Sequence, residues 1–423
     1  MPLSCPWRAG AVACLSLLLA CVPPALATPQ PRNNSLVGES PTSLAGLVKR
    51  VLDTSPELLA AQASANAARA RLEGASRPLN NPELSAEVER TDVSAYAVGV
   101  SQTIDWHDKR ESQAQIAQAE LASAEAELEL KRLDMAAGLV ANVGRLAAVH
   151  ETLSLAKRRV DMLSSVVELA EKRLAAGDIS PPELELARLT QSEAALQYAG
   201  LRSDLIQQRS EFSALAGDDL DYQVKFPKRL PSNLSSPSDI ASQAREHPQV
   251  RLAELAAQLA RARMRATDRD RLTDPTVGVA LGRDGGENRV SVSISIPLQL
   301  RNNFQGSVDA ASAEALAAEQ RVLREQRAQL ARVTAARERF NLTARVWSQW
   351  AGATRTSLKD HVSALQDQWE AGEVNTADYL LQLRQSLDTE ISGVELHASL
   401  WDAWSDWLHA TGTLLQWLNE TER

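Results

Sequence analysis

Hydrophobic and polar positions alternate with a period of two in four short stretches of the chain and follow a helical period through most of the rest. In residues 82–90, Leu84, Ala86 and Val88 oppose Glu83, Ser85, Glu87 and Glu89. In residues 96–106, Tyr96, Val98, Val100, Ile104 and Trp106 oppose Ala97, Gly99, Ser101, Thr103 and Asp105. The same alternation sets Val277, Val279 and Leu281 against Thr276, Gly278 and Gly282 in 276–283, and Val290, Val292, Ile294 and Ile296 against Arg289, Ser291, Ser293 and Ser295 in 289–298. Polar, hairpin-like turns separate the members of each pair, residues 91–95 and Asp284-Gly285-Gly286-Glu287-Asn288. The pattern predicts four strands, each with one face suited to hydrocarbon or a core and the other to water. Helices are predicted over 43–75, 109–176 and 181–215, and again over 238–270, 305–371 and 376–417. Residues 109–176 contain no proline, and at about 1.5 Å per residue they make a helix roughly 100 Å long. Leu146, Leu153, Val160, Val167 and Leu174 recur every seven residues, with Val149, Ala156, Leu163 and Ala170 in the companion phase, which is a coiled-coil seam.

The chain is written twice. Ser55-Pro56-Glu57 has a counterpart in His247-Pro248-Gln249, and Ala68-Arg69-Ala70-Arg71 in Ala260-Arg261-Ala262-Arg263, both at an offset of 192 residues. Pro82 matches Pro275, and Gly177 matches Gly372, at offsets of 193 and 195. We therefore divide the sequence into a first repeat at 43–217 with its β-hairpin at 82–106, a proline-bearing linker at 218–237, a second repeat at 238–417 with its β-hairpin at 276–298, and a tail at 418–423. Both long helices end in one design. Gly177 supplies a left-handed closing residue, Asp178 follows it, Ser180 caps the next helix ahead of Pro181, and Glu183 completes a capping box. The copy reads Gly372, Glu373, Asn375 as cap and Asp378 three residues later.

Composition sharpens this picture. Of 423 residues, 45 are Lys or Arg and 54 Asp or Glu, so the chain is acidic and lacks the charge balance of a nucleic-acid surface. Its three cysteines, Cys5, Cys14 and Cys21, fall in the first 21 residues, which excludes a disulfide framework and a cysteine zinc site from the rest. Residues 1–27 have the three parts of a secretory signal: Arg8, an apolar run over 9–22, and Ala25-Leu26-Ala27. Cleavage after Ala27 and lipidation at Cys21 within Leu18-Leu19-Ala20-Cys21 are both open, and residues 28–42 form a polar lead-in. No later segment is apolar enough for a membrane helix. The six histidines (His107, His150, His247, His361, His397, His409) show no ligand spacing, so neither a bound metal nor a cofactor is expected. No nucleophile–base constellation is present, and an enzyme is not expected.

The strands fit either a half-buried sheet packed on helices or membrane strands. Tyr96 and Trp106, about 33 Å apart along an extended chain and about 25 Å vertically once tilted, suit the aromatic ends of an outer-membrane apolar band. Four strands cannot close a barrel and open edges are not tolerated in lipid, so a membrane reading demands two or more chains that pool strands. Glu83, Glu87 and Glu89 would then face a pore lumen, where they bias it toward cations or are simply hydrated.

At this point the residues resemble a known family. The duplicated helix–hairpin–helix order, with Arg-Leu-x-x-Gly-x-x-Ser-x-x-Glu-Leu over 173–184, resembles the TolC-type outer-membrane efflux channels along essentially the whole mature chain. Asn81-Pro82-Glu83-Leu84-Ser85, Val100-Ser101-Gln102-Thr103-Ile104 with Lys109-Arg110, and Ser295-Ile296-Pro297-Leu298-Gln299-Leu300 leading to Gly306 are similar to the cobalt–zinc–cadmium branch. Members often carry Gly before the Lys-Arg pair, where this chain has Asp108; their Arg-Asn ahead of the glycine aligns with Asn303-Phe304. The resemblance implies a mainly α fold with a small β part: a homotrimer whose twelve pooled strands form a transmembrane β-barrel in outer-membrane lipid, continued by a coiled-coil α-helical barrel through the periplasm. It implies a periplasmic adaptor and an inner-membrane proton-driven pump of the resistance-nodulation-division class as partners, and divalent heavy-metal cations as cargo. It further implies a gate at the hairpin tips, where Asp378 fits the position of a constricting acid and Leu381 stands where a second acid can occur. Asp178 and Glu373 are exposed tip acids, either adaptor contacts or solvated turn residues. A duct for organic toxins, or a periplasmic coiled-coil scaffold without a pore, are the alternatives.

Overall fold

The computed structural model describes residues 43–90, 94–217, 230–231, 234 and 240–421. The signal segment, the lead-in at 28–42 and most of the 218–237 linker lie outside the described residues. The order is α1 (Leu44–Thr54), α2 (Pro56–Ala75), β1 (Glu83–Arg90), β2 (Ser94–Thr103), α3 (Lys109–Ala176) and α4 (Pro181–Ala216). The second repeat follows as α5 (Ile240–Glu246), α6 (Pro248–Asp270), β3 (Thr276–Asp284), β4 (Glu287–Ser295), α7 (Gln305–Glu370), α8 (Thr376–Thr411) and α9 (Leu414–Thr421).

Several expected elements are divided. The helix expected over 43–75 stops at Thr54 and restarts at Pro56, because extended Ser55 separates them and Pro56 has no N–H to continue the first helix. His247 and Pro248 divide the second copy in the same place. The helix expected over 376–417 breaks where Gly412 takes φ 73°, and residues expected in the tail continue α9 to Thr421. Strand β2 ends at Thr103 rather than at residue 106, because Asp105 leaves the alternation to cap α3: its two carboxylate oxygens accept the Lys109 and Arg110 backbone N–H groups at 2.7 and 2.9 Å. Strand β4 likewise ends at Ser295, two residues before Pro297.

The helices form a palisade. Long α3 packs on α4 and on α8, and α8 packs on α7; nearer the sheet, α3 also packs on α2 and α6, and α6 on α7. Two large apolar cores hold it together, with smaller clusters around Val333 and Leu58. One joins α1, α3, α4, α7, α8 and α9 around Leu47, Leu139, Leu146, Phe212, Phe340, Trp401 and Trp404. The other lies toward the hairpin ends and includes Leu163, Val167, Ala170, Leu184, Leu365, Trp369, Tyr379 and Leu383. Most of the heptad seam read from α3 is therefore buried. The repeat extends to ion pairs: Arg69–Glu125 at 3.0 Å in the first copy is matched by Arg261–Glu319 at 2.8 Å in the second.

The sheet has the order β1-β2-β3-β4 with every pair antiparallel. Gly285 and Gly286, both at positive φ, make the two-residue turn between β3 and β4.

Candidate functional site: the sheet faces and the hairpin tips

Register makes the alternation of each strand a property of the whole sheet. Rows such as Leu84–Val100–Val279–Val292 and Ala86–Val98–Leu281–Val290 build one continuous apolar face. That face is uncovered: Leu84 is 77% exposed, Val88 81% and Val292 69%. A solvated half-buried sheet would hide these side chains, since burying each is favourable by about 1.5–3 kcal/mol. The opposite face carries the rows Glu83–Ser101–Gly278–Ser293, Ser85–Gly99–Ala280–Ser291, Glu87–Ala97–Gly282–Arg289 and Glu89–Ala95–Asp284–Glu287. It is crowded as well as polar. A Cβ on Gly282 would lie 2.2 Å from the Tyr96 carbonyl oxygen, and one on Gly99 would lie 2.8 Å from the Ala280 Cβ. The sheet thus curls toward its polar face, and the glycines there permit the close approach. The three acids Glu83, Glu87 and Glu89 all stand on this concave side and are exposed. Tyr96 lies on the apolar face, 53% exposed. Trp106 does not share its strand; it sits in the passage from β2 to α3, 70% exposed.

That passage holds a knot between the two repeats. Asp274, nearly buried, accepts from the Lys109 ammonium at 3.0 Å, from His107 Nδ1 at 3.1 Å and from the Trp106 backbone N–H at 3.3 Å. Burial alone would push its carboxyl up, but the His107 and Lys109 bonds outweigh that and hold it below the usual value. The departures from the family pattern also fall here. Asp108 has φ 54° and Phe304 φ 56°, each the last residue before a long helix. A left-handed residue is where glycine is at home, and Asp is among the side chains that tolerate it. The Asn302 side chain supports Phe304 by accepting its backbone N–H at 2.9 Å.

At the other end of the palisade the tips close as their sequences require. Gly177 at φ 85° lets the Asp178 N–H reach the Arg173 carbonyl at 2.9 Å, and Gly372 at φ 79° lets the Glu373 N–H reach the Gln368 carbonyl at 2.9 Å. The Glu183 carboxylate accepts from both the backbone N–H and the hydroxyl of Ser180 at 2.8 Å, and these two bonds hold its carboxyl below the usual value. Asn375 accepts the Asp378 N–H at 2.9 Å and donates to the Asp378 carboxylate at 2.7 Å. Asp378 is thus exposed in the first turn of α8, and Leu381, one turn on, is 64% exposed.

A clamp that the sequence reading did not anticipate joins the tips. Arg173 of the first hairpin donates to the Trp369 and Glu370 carbonyls of α7 at 2.9 and 2.8 Å, with its guanidinium 5.0 Å from the Trp369 ring centroid. Trp369 in turn stacks on Tyr379 at 4.6 Å and 11°. Burial pushes the Tyr379 phenol up to about 12, with Glu370 adding to the effect. Higher up, buried Arg159 bonds Asp388 across the hairpins at 3.1 Å. Trp369 could be read as a seam residue, but its cross-hairpin partner Arg173 is 196 residues away and no local pattern signals it. Among the described residues no group of three or more His, Cys, Asp or Glu is placed to hold a metal ion, and no helix is long and apolar enough to cross a membrane.

A one-sided curled sheet on a two-hairpin palisade can be compared with known proteins. The family model described as outer membrane efflux protein matches residues 47–218. Those residues are similar to the outer membrane efflux family. The cobalt-zinc-cadmium resistance protein CzcC of Cupriavidus metallidurans is 26% identical over 245 residues, which cover 56% of this chain and 59% of that protein. The chain therefore matches only about three fifths of the length of this curated relative. The likeness in fold extends much further than the sequence match. The outer-membrane channel OprN superposes with a TM-score of 0.75 at 17% identity, covering 88% of this chain and 90% of its own. The CmeC outer membrane channel of Campylobacter jejuni gives 0.75 at 16%, covering 88% and 85%. The mainly α architecture with a small antiparallel sheet is the architecture of these channels.

Proposed function

We propose that the chain is the outer-membrane exit duct of a tripartite efflux system, a passive conduit without covalent chemistry, and that it carries divalent heavy-metal cations outward. The observation that carries the duct reading is the four-stranded sheet with an uncovered apolar convex face, a polar concave face and two unpaired edges among the described residues. An open sheet is costly in lipid, and copies that join β4 of one to β1 of the next in antiparallel fashion leave no edge. The helices carry the same incompleteness on the same scale. Leu189 and Leu196 on α4, and Leu316, Leu323 and Leu330 on α7, repeat every seven residues on helices that flank the palisade, and all five are exposed. Side chains at that spacing seek a facing helix, here supplied by another copy. Three copies give twelve strands, with the sheet in the outer membrane and the helices in the periplasm.

On this reading Glu83, Glu87 and Glu89 line the lumen, and Tyr96 and Trp106 mark the two membrane interfaces. The tips around Gly177, Asp178, Ser180, Glu183, Gly372, Glu373, Asn375 and Asp378 form the gate and meet a periplasmic adaptor, which links the duct to a proton-driven inner-membrane pump. The cargo assignment leans on the name of the cobalt-zinc-cadmium relative and on the acidic lumen face. The purified chain in planar bilayers should conduct, and divalent cations added at the tip side should block it. Asp378→Asn should weaken that block; an unchanged block removes the gate acid. A deletion strain should become sensitive to zinc, cobalt or cadmium. Sensitivity to dyes and detergents instead would keep the duct and replace its cargo.

A further inference from the structure

His247 occupies the position that Ser55 holds in the first repeat, the residue before the proline that opens a helix. The two behave differently. Ser55 makes no side-chain bond to the helix it precedes. His247 Nδ1 accepts the Gln249 backbone N–H at 3.1 Å, so its proton is on Nε2, which donates to the His409 carbonyl oxygen at 3.0 Å. One neutral imidazole thereby caps the start of α6 and ties it to the last turn of α8. The ring is only 3% exposed. It borders a cavity of about 380 Å³, so protons have a route to it.

The groups that face His247 are few. From α3 comes Asp134, whose carboxylate lies 2.7 Å from His409 Nε2. From α7 come Arg332, paired with Glu325 at 3.1 Å, and Arg339, paired with Asp406 of α8. His409 itself stands edge-on to His247, ring centroids 5.9 Å apart. None of these carboxylates bonds the His247 ring, and its one acceptor, the His409 carbonyl, is already in use. A second proton, on Nδ1, would point at the Gln249 N–H and place positive charge at the positive end of a helix.

We infer that His247 is an acid-responsive joint: its protonation uncaps α6 and releases it from the end of α8. Burial lowers the affinity of this ring for a proton and outweighs the opposing effect of the His409 carbonyl. The sign follows. The fold prefers the neutral ring, so the joint is at full strength above the free imidazole value near 6.5 and weakens as pH falls below it. Uptake of one proton changes the opening equilibrium by at most about tenfold per pH unit. The inference is independent of what the duct carries.

Hydrogen exchange by mass spectrometry on the purified full-length assembly tests it, at pH 7.5, 6.5 and 5.5 with rates corrected for intrinsic exchange. Protection over 248–255 should fall by up to about tenfold per pH unit below about 6.5, while the matching segment 56–63 behind Ser55 keeps its protection. His247→Asn, an amide that caps but does not titrate, should abolish the pH dependence, and His409→Gln should retain it. Equal pH dependence at the two helix starts overturns the inference, as does a dependence that survives His247→Asn or disappears with His409→Gln. Should the Asn variant fail to assemble, the comparison of the two segments in the wild-type chain still decides.

Discussion

Replacing Trp369 by alanine tests whether the hairpin tips are held by packing or by hydrogen bonds. Trp369 is 2% exposed, stacked on a Tyr379 that is 1% exposed, and lies under Arg173. Removing a buried indole costs about 3–5 kcal/mol in lost transfer energy and cavity. Arg173→Ala removes two charge-assisted bonds to carbonyls, but at a half-exposed site where water replaces them, so about 1–2 kcal/mol is expected. Trp369→Phe keeps a ring over Tyr379 and should lose about 1–2 kcal/mol. The tip can open without unfolding the palisade, so the proper assay is amide exchange over 366–383 rather than a melting point. Trp369→Ala should lower protection there more than about a hundredfold, Arg173→Ala and Trp369→Phe each about tenfold, with the 133–146 core unchanged. If Arg173→Ala costs more than Trp369→Ala, the tip is a hydrogen-bonded clamp and the packing argument is wrong.

Gly282→Val should prevent the sheet from forming, because its Cβ would meet the Tyr96 carbonyl oxygen at 2.2 Å; the check is loss of heat-resistant oligomer in membrane fractions. By contrast Gly138→Ala, exposed in the interior of α3 with open space around it, should raise stability by up to about 1 kcal/mol in denaturant titration. Asp274→Asn should cost about 3 kcal/mol at neutral pH, since it leaves Lys109 and His107 without their carboxylate. The Asp274 carboxyl is held below its unfolded value near 4, so its contribution is complete above that pH and lost as pH falls through the depressed one. The stability gap between wild type and Asp274→Asn should therefore close on acidification, and a gap independent of pH would refute the ion-pair account.

What was legible in the sequence was local. Period-two alternation located all four strands because each strand has one apolar face and one small or polar one, and the tip glycines and caps are read within a few residues of themselves. The errors are of one kind. Asp105 lies in phase with the alternation of β2, so the pattern alone carries the strand through it to Trp106, although its carboxylate belongs to the start of α3. Pro56 and Pro248 mark the repeat, yet a proline there fits both a continued helix and a restarted one. What was not legible depends on distant partners. His247 and His409 look scattered along the chain until α6 and α8 meet, and Arg173 is an ordinary last-turn cation until α7 ends beside it. Asp108 looked like a departure from the family, but in the left-handed region it is a substitution the backbone accepts.

The bare convex face of the sheet also sets a timetable. The helices own their buried cores within a single chain, so they can become ordered as soon as the chain is made. The strands have no such support within one chain; on the proposed duct reading their apolar row finds its partner in lipid, and their edges in sister copies. Each newly made chain would then spend an interval as a finished palisade bearing an unfinished, adhesive crown. On the same reading, that interval is when it is most open to misassembly, and it ends when sister copies meet at the membrane.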